Sequence, residues 1–253
     1  MPGHVHFIGA GPGAADLITL RGARALGQAT VVLFDALTDP ALRDFAPQAE
    51  WLDVGKRGFC EATAQTRINA LLVQHAAAGA TVARLKGGDP SVFGRLEEEI
   101  NALDEAGISY EVVPGVTSAL AAAAATGRPL TRRGNGRSVA LSTAMTAERE
   151  LRASKRADTE VFYMAGRQLA ELSRRLQEAG WPADAPASVV SRAGWPDQLH
   201  SDHSVGSLAA ACVLHAGRPA VVTVGVGAAA LGPGPAPRAC STEGHPAEPG
   251  FRP

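Results

Sequence analysis

The sequence predicts an α/β fold in two halves. Two observations lead there. Short apolar runs bounded by Gly, Pro or Asp alternate with stretches that repeat apolar residues at helical spacing. Glycine-rich turns follow several of the runs, and such turns at the carboxyl ends of parallel strands are where open α/β sheets bind ligands. The chain has 253 residues, enough for one large or two modest cores.

Residues 4–9 read as a short apolar strand, followed by the loop Gly9-Ala10-Gly11-Pro12-Gly13. Asp16 is placed to cap a helix running to about residue 29, with Leu17, Leu20, Ala23 and Leu26 at helical spacing. Residues 30–34 form a second buried strand that ends at Asp35. Gly9-x-Gly11-x-x-Ala14 satisfies a dinucleotide-binding pattern, with Asp35 near the place of a ribose-binding acid, while Pro12-Gly13 is compatible with a loop shaped for another ligand. A helix over 40–46 and a strand over 51–54 come next. Gly55-Lys56-Arg57-Gly58 then places two cations between glycines, a pattern that suits an anionic ligand or a solvated turn equally well. Residues 61–78 predict a helix.

Residues 80–85 predict a strand leading into Lys86-Gly87-Gly88-Asp89-Pro90-Ser91-Val92-Phe93-Gly94-Arg95. Paired glycines let a ligand approach the backbone, because no Cβ intervenes. Asp89 offers a carboxylate there, and Pro90 stiffens the exit. A plain turn needs fewer special residues. The helix over 96–106 opens on Glu97-Glu98-Glu99, which suits the positive end of its dipole. A strand over 109–113 enters Pro114-Gly115-Val116-Thr117-Ser118 and an alanine-rich helix to about 126, so Thr117 and Ser118 sit at a helix N-terminus, as simple caps or facing a ligand.

Residues 127–137 hold Arg128, Arg132, Arg133 and Arg137, denser in cations than a linker requires and able to pair with a substrate rich in carboxylates. The domain boundary falls here: residues 1–130 and 131–232, with a Pro- and Gly-rich tail over 233–253 expected to be disordered. The second half predicts strands over 138–143, 160–164, 187–191, 199–205 and 219–224, and helices over 146–156, 167–179 and 207–215.

The net charge of −1 gives no basic field for nucleic acid. No apolar run reaches the length of a membrane span and no basic-then-apolar leader opens the chain, so a soluble cytoplasmic protein is expected. Cys60, Cys212 and Cys240 form neither a disulfide framework nor a metal knot, and His200 and His203 lack further ligands and read as surface residues. No metal is expected.

Taken together, Gly9-Ala10-Gly11-Pro12-Gly13, Asp16-Leu17-Ile18-Thr19-Leu20, Val31-Val32-Leu33-Phe34-Asp35, Val54-Gly55-Lys56-Arg57, Arg84-Leu85-Lys86-Gly87-Gly88-Asp89-Pro90, Val92-Phe93-Gly94-Arg95, Val112-Val113-Pro114-Gly115-Val116-Thr117-Ser118 and Pro129-Leu130-Thr131 resemble the uroporphyrinogen-III C-methyltransferases among the tetrapyrrole methylases. Val161-Phe162-Tyr163-Met164 and Pro196-Asp197-Gln198 continue the series in family order. The resemblance spans about residues 4–232. It implies two α/β domains with S-adenosylmethionine in a cleft between them, no metal, and a homodimer. By position, Pro12, Gly87, Gly88, Asp89, Val92, Thr117, Ser118, Met164 and Ala193 would line the cofactor pocket. Asp35 matches a proton acceptor and Lys56 a proton donor. Charge adds Arg57, Arg128, Arg132 and Arg133 as clamps for a substrate with eight carboxylates. The chain departs from the pattern at Leu96-Glu97, Arg132 and Ala144-Met145, where the family usually has two glycines, His and Gly-His.

Overall fold

Strand β1, His4–Gly9, lies in the middle of the first half, hydrogen-bonded on both sides to parallel partners. Its alternation sends Val5 and Phe7 to one face and Ile8 to the other, and all three are fully buried. In this computed structural model, residues 2–35, 37–55, 65–144 and 151–231 are described. Among them ten strands form two five-stranded sheets.

The first sheet is wholly parallel. It comprises β1, β2 (Val31–Phe34), β3 (Glu50–Asp53), β4 (Thr81–Lys86) and β5 (Ser109–Val113), in the order β3-β2-β4-β1-β5. Helix α1 (Leu20–Gly27) packs on the face that holds Ile8, Leu26 and Leu85. Helices α2 (Gln65–Ala77) and α3 (Leu96–Glu105) pack on the face that holds Phe7, Leu72, Val82 and Leu103. Truncating one of these fully buried leucines to alanine costs about 2–5 kcal/mol. Since β1 departs toward α1 and its neighbour β4 departs toward α3, their connections leave on opposite faces. That divergence opens a crevice at their carboxyl ends.

The second sheet is mixed. It contains β6 (Val139–Thr143), β7 (Thr159–Tyr163), β8 (Pro186–Ser191), β9 (Leu199–Ser204) and β10 (Ala220–Gly225), in the order β6-β7-β10-β8-β9. Only β6 and β7 pair in parallel; the other pairings are antiparallel. Helix α5 (Leu169–Glu178) covers one face through Leu169, Leu172 and Leu176. Helix α4 (Ser118–Thr126) comes from the first half yet packs Ala119, Ala121 and Ala122 against Val161, Val190 and Val221 on the other face. Its alanines let the helix approach closely, and Gly127 ends it in the left-handed conformation (φ 64°).

Two expectations are corrected. Asp16 does not cap the first helix. It lies in a short 3₁₀ turn, and the cap of α1 is Thr19, whose Oγ1 accepts from Gly22 N at 3.0 Å. The helix expected over 146–156 is absent from its described part, 151–156: Leu151 is buried in the second core and its neighbours are irregular, while 145–150 lie outside the described residues. Nothing in 151–156 offers the apolar face a helix would need, since Lys155 and Arg156 turn outward. The tail expected to be disordered lies outside the described residues from 232 onward.

Candidate functional site

Three loops of the first sheet stack at its carboxyl edge. Gly11 and Gly88 exchange backbone hydrogen bonds of 3.3 and 2.7 Å, both with positive φ (78° and 74°). Gly115 sits against them so tightly that a Cβ there would lie 2.3 Å from Gly88 O and 2.7 Å from Gly9 Cα. Asp89 ties the stack together: Oδ2 accepts from Gly115 N at 2.9 Å and Oδ1 from Ser91 N at 2.8 Å. Much of the glycine pattern therefore serves backbone packing. Gly87 differs, because a Cβ on it would meet only Leu37, at 3.7 Å.

Between this stack and the second sheet lies a cavity of about 290 Å³, at the small end of the roughly 300–1,000 Å³ found for small-molecule sites. Pro12, Gly87, Gly88, Asp89, Val92, Thr117, Ser118, Met164 and Ala193 all line it. The second sheet closes it with Val190, Arg192, Ala220 and Val221. The wall is mostly apolar, with a few polar groups at Asp89, Thr117, Ser118, Tyr163 and Arg192.

Backbone strain gathers here. Phe93, Met164 and Arg192 line the cavity with φ of 53°, 59° and 52°, and Arg95 beside it has 53°; these are the four non-glycine residues at positive φ among the described residues. Each such residue costs on the order of 1–3 kcal/mol and persists where the surroundings over-determine it. Met164 and Phe93 are large apolar side chains left half exposed.

The sequence reading missed several members. Tyr163 bonds Thr117 Oγ1 through its hydroxyl at 2.7 Å, so Thr117 reaches across to the second sheet and does not cap α4 with its side chain. Burial pushes the Tyr163 phenol up. Trp195 donates its indole N–H to Pro12 O at 3.1 Å, and Ala14 N donates to Gly194 O at 2.8 Å, so the β8–β9 loop latches onto the first glycine loop. The signal for Trp195 was a large aromatic between Gly194 and Pro196, a loop position without a strand pattern to bury it.

Asp35 follows the last residue of β2, with a side chain 34% exposed, and is not among the residues that line the cavity. Its Oδ1 accepts from Arg84 Nη2 at 2.8 Å. Arg84 also reaches Glu99 Oε1 (3.3 Å), which Lys86 Nζ contacts at 2.8 Å. Arg84 and Lys86 alternate on β4 and so share a face, and Glu99 lies between Leu96 and Leu103 on the inward side of α3. Glu99 thus does more than complement a helix dipole: it is fully buried between two buried cations. Burial pushes the Lys86 ammonium below its usual range, Arg84 adds to the shift, and Glu99 opposes it.

Arg128, Arg132 and Arg133 do not line the cavity. Arg128 is buried and forms a two-pronged pair with Asp202 plus a 2.9 Å bond to Ala228 O, so its guanidinium is spent on the fold and is not a free carboxylate clamp. Its hydrogen bond holds the Asp202 carboxyl below its usual range. Arg132 donates to Ala229 O and lines a separate cavity with Asp158 and Trp181. Arg133 is exposed. Lys56 and Arg57 lie outside the described residues.

Comparison with known proteins gives a consistent family. A family model described as Tetrapyrrole (Corrin/Porphyrin) Methylases matches residues 4–209. A uroporphyrinogen-III C-methyltransferase of Pseudomonas aeruginosa is 40% identical over 234 residues, covering 89% of this chain and 94% of that protein. One of Bacillus subtilis is 42% identical over 206 residues, and there the match covers 78% of this chain but 42% of the relative's length. Among solved structures, the uroporphyrin-III C-methyl transferase of Thermus thermophilus complexed with S-adenyl homocysteine superposes with a TM-score of 0.77 at 36% identity, covering 88% of this chain and 97% of that one.

Proposed function

The chain belongs to the tetrapyrrole methylases, and on that premise we propose that it is an S-adenosylmethionine-dependent uroporphyrinogen-III C-methyltransferase. It methylates C2 and C7 and releases precorrin-2, working in the cytoplasm as a homodimer of two-domain subunits divided near residue 130. The observation that carries this reading is the convergence of nine residues, scattered from Pro12 to Ala193 in sequence, on one mostly apolar cavity.

The residues present fit the methyl donor. Gly87 leaves open space where a side chain would intrude, and a sparse polar set in an apolar wall suits a ligand with an amino-acid end and an aromatic base. When bound, S-adenosylmethionine supplies a methyl group already activated on a sulfonium, so the transfer asks for alignment more than for acid catalysis. The chain's own residues do the aligning. Asp89 and the Gly87-Gly88 backbone form one wall, Thr117 and Tyr163 tie the first half to the opposite sheet, and Trp195 ties the β8–β9 loop to the first glycine loop.

Loss of a ring proton must follow attack by a pyrrole carbon. Asp35 is the acceptor in this reading: Arg84 holds Oδ1 in place, which leaves Oδ2 to take the proton. Lys56 is the proton donor, and Arg57 and Arg133 meet substrate carboxylates; Arg128 is withdrawn from that role because Asp202 occupies it. Anaerobic incubation with uroporphyrinogen III and S-adenosylmethionine, read by mass, tests the reading. A product heavier by two methyl groups supports it. Tight S-adenosylhomocysteine binding without turnover of uroporphyrinogen III would discard the substrate.

A further inference from the structure

We propose that His4, His6 and Glu111 form a binding site for a divalent transition-metal ion of the zinc class, outside the ligand cleft, that ties edge strand β5 to β1. The two histidines alternate on β1 and therefore share a face. The parallel register places Glu111 of β5 directly opposite His6, and Ser109 opposite His4. One ring nitrogen from each histidine and a carboxylate oxygen lie within 4.8 Å of one another.

The spacing is that of ligands more than of an ion pair. His6 Nδ1 stands 3.4 Å from Glu111 Oε2. A charge-assisted hydrogen bond would close to about 2.7–2.9 Å. Two ligands on a tetrahedral zinc with bonds near 2.1 Å are separated by about 3.4 Å. His6 Nδ1 is also buried without any hydrogen-bond partner, on a side chain only 12% exposed. A buried polar atom left in that state is costly unless something fills the position. The two imidazoles stand with ring centroids 4.6 Å apart, and each neutral ring keeps one lone pair for a cation. Ser109 Oγ, 2.7 Å from His4 Nδ1, is the outer partner that orients a metal-bound ring. Glu111 is 45% exposed, so the ion enters from solvent and keeps water as a fourth ligand.

The site stands apart from methyl transfer. From His6 to the strand's end at Gly9 the chain advances roughly 10 Å, at about 3.3 Å per residue, and the cavity lies beyond that end. Sequence reading weighed only His200 and His203 and passed over the shorter His-x-His, because its third ligand comes from a strand about a hundred residues later.

The test uses the full chain without a histidine tag, stripped with a chelator, and titrated with Zn²⁺ alone by calorimetry and with Co²⁺ for its visible spectrum. One ion per chain is expected, with a rise in Tm of several degrees at saturation. His4→Ala and Glu111→Gln, both changes at accessible side chains, should each weaken binding about tenfold or more and abolish the Tm rise. A His200→Ala/His203→Ala variant should bind as the parent does. Binding no tighter than millimolar, or binding unchanged in His4→Ala and Glu111→Gln, would overturn the site. So would binding lost in the His200/His203 variant.

Discussion

Gly87→Ala and Gly115→Ala should fail in opposite ways, although both replace a glycine of the same loop stack. At Gly115 the added Cβ meets backbone on two sides, Gly88 O at 2.3 Å and Gly9 Cα at 2.7 Å. Backbone cannot rotate away, so the loops must separate at a cost of about 1–3 kcal/mol, or a fall in Tm of about 2–4 °C for each kcal/mol in a chain of this size. At Gly87 the Cβ meets only Leu37 Cβ at an ordinary 3.7 Å, and the residue is not in the left-handed region. Folding stability should then stay within about 1 kcal/mol of the parent, with a gain as the expected sign, because alanine narrows the unfolded ensemble. The same methyl group stands where a ligand would approach the backbone. S-adenosylhomocysteine affinity should fall by about 10- to 100-fold, the equivalent of about 1.4–2.7 kcal/mol. Differential scanning fluorimetry and calorimetric titration of the two variants separate the effects. Unchanged affinity in Gly87→Ala would refute the placement of the ligand, and an unchanged Tm in Gly115→Ala would refute the packing of the three loops.

Glu99→Gln leaves Arg84 and Lys86 buried without their shared anion, and urea denaturation should report a loss of about 3–5 kcal/mol. Tyr163→Phe strands the Thr117 hydroxyl in a buried position, so stability should fall by about 1–2 kcal/mol while the chain still folds; a Thr117→Val/Tyr163→Phe double variant should recover most of it. Fully buried His215 sits between Ser191 and Ser201 hydroxyls, and burial, then His203, Arg218 and His200, push it below the ordinary 6.5. The native state therefore binds fewer protons than the unfolded chain below pH 6.5, and stability should decline as pH falls through that region, by at most about 1.4 kcal/mol per pH unit for this group. His215→Gln should flatten that slope in pH-dependent melting curves.

Much of this site is legible in the sequence because its glycines are forced by backbone contact. Gly9 and Gly115 leave no space for a side chain and Gly88 holds a φ of 74°, so they appear as fixed marks at the ends of three apolar runs. Strand and helix positions in the first half follow from alternation against helical spacing, and a parallel sheet buried on both faces writes that contrast strongly. The edge of the second sheet writes it weakly, as in Leu199–Ser204, where polar residues dominate. What stayed hidden depends on pairing over long separations. Arg128 resembled a solvent-facing clamp until Asp202, 74 residues away, was placed against it. Glu99 resembled a dipole partner until its helix face met Arg84 and Lys86 on β4. Thr117 resembled a cap until Tyr163 came within 2.7 Å. Local patterns carry no record of which distant group satisfies a polar side chain.

A crystal structure of the chain with S-adenosylhomocysteine tests the central claim most directly. The account predicts the ligand between the Gly87-Gly88-Asp89 turn and the second sheet, with Thr117, Met164 and Ala193 in contact and its sulfur open toward Asp35. A ligand seated elsewhere, such as the separate cavity beside Arg132 and Trp181, would contradict it.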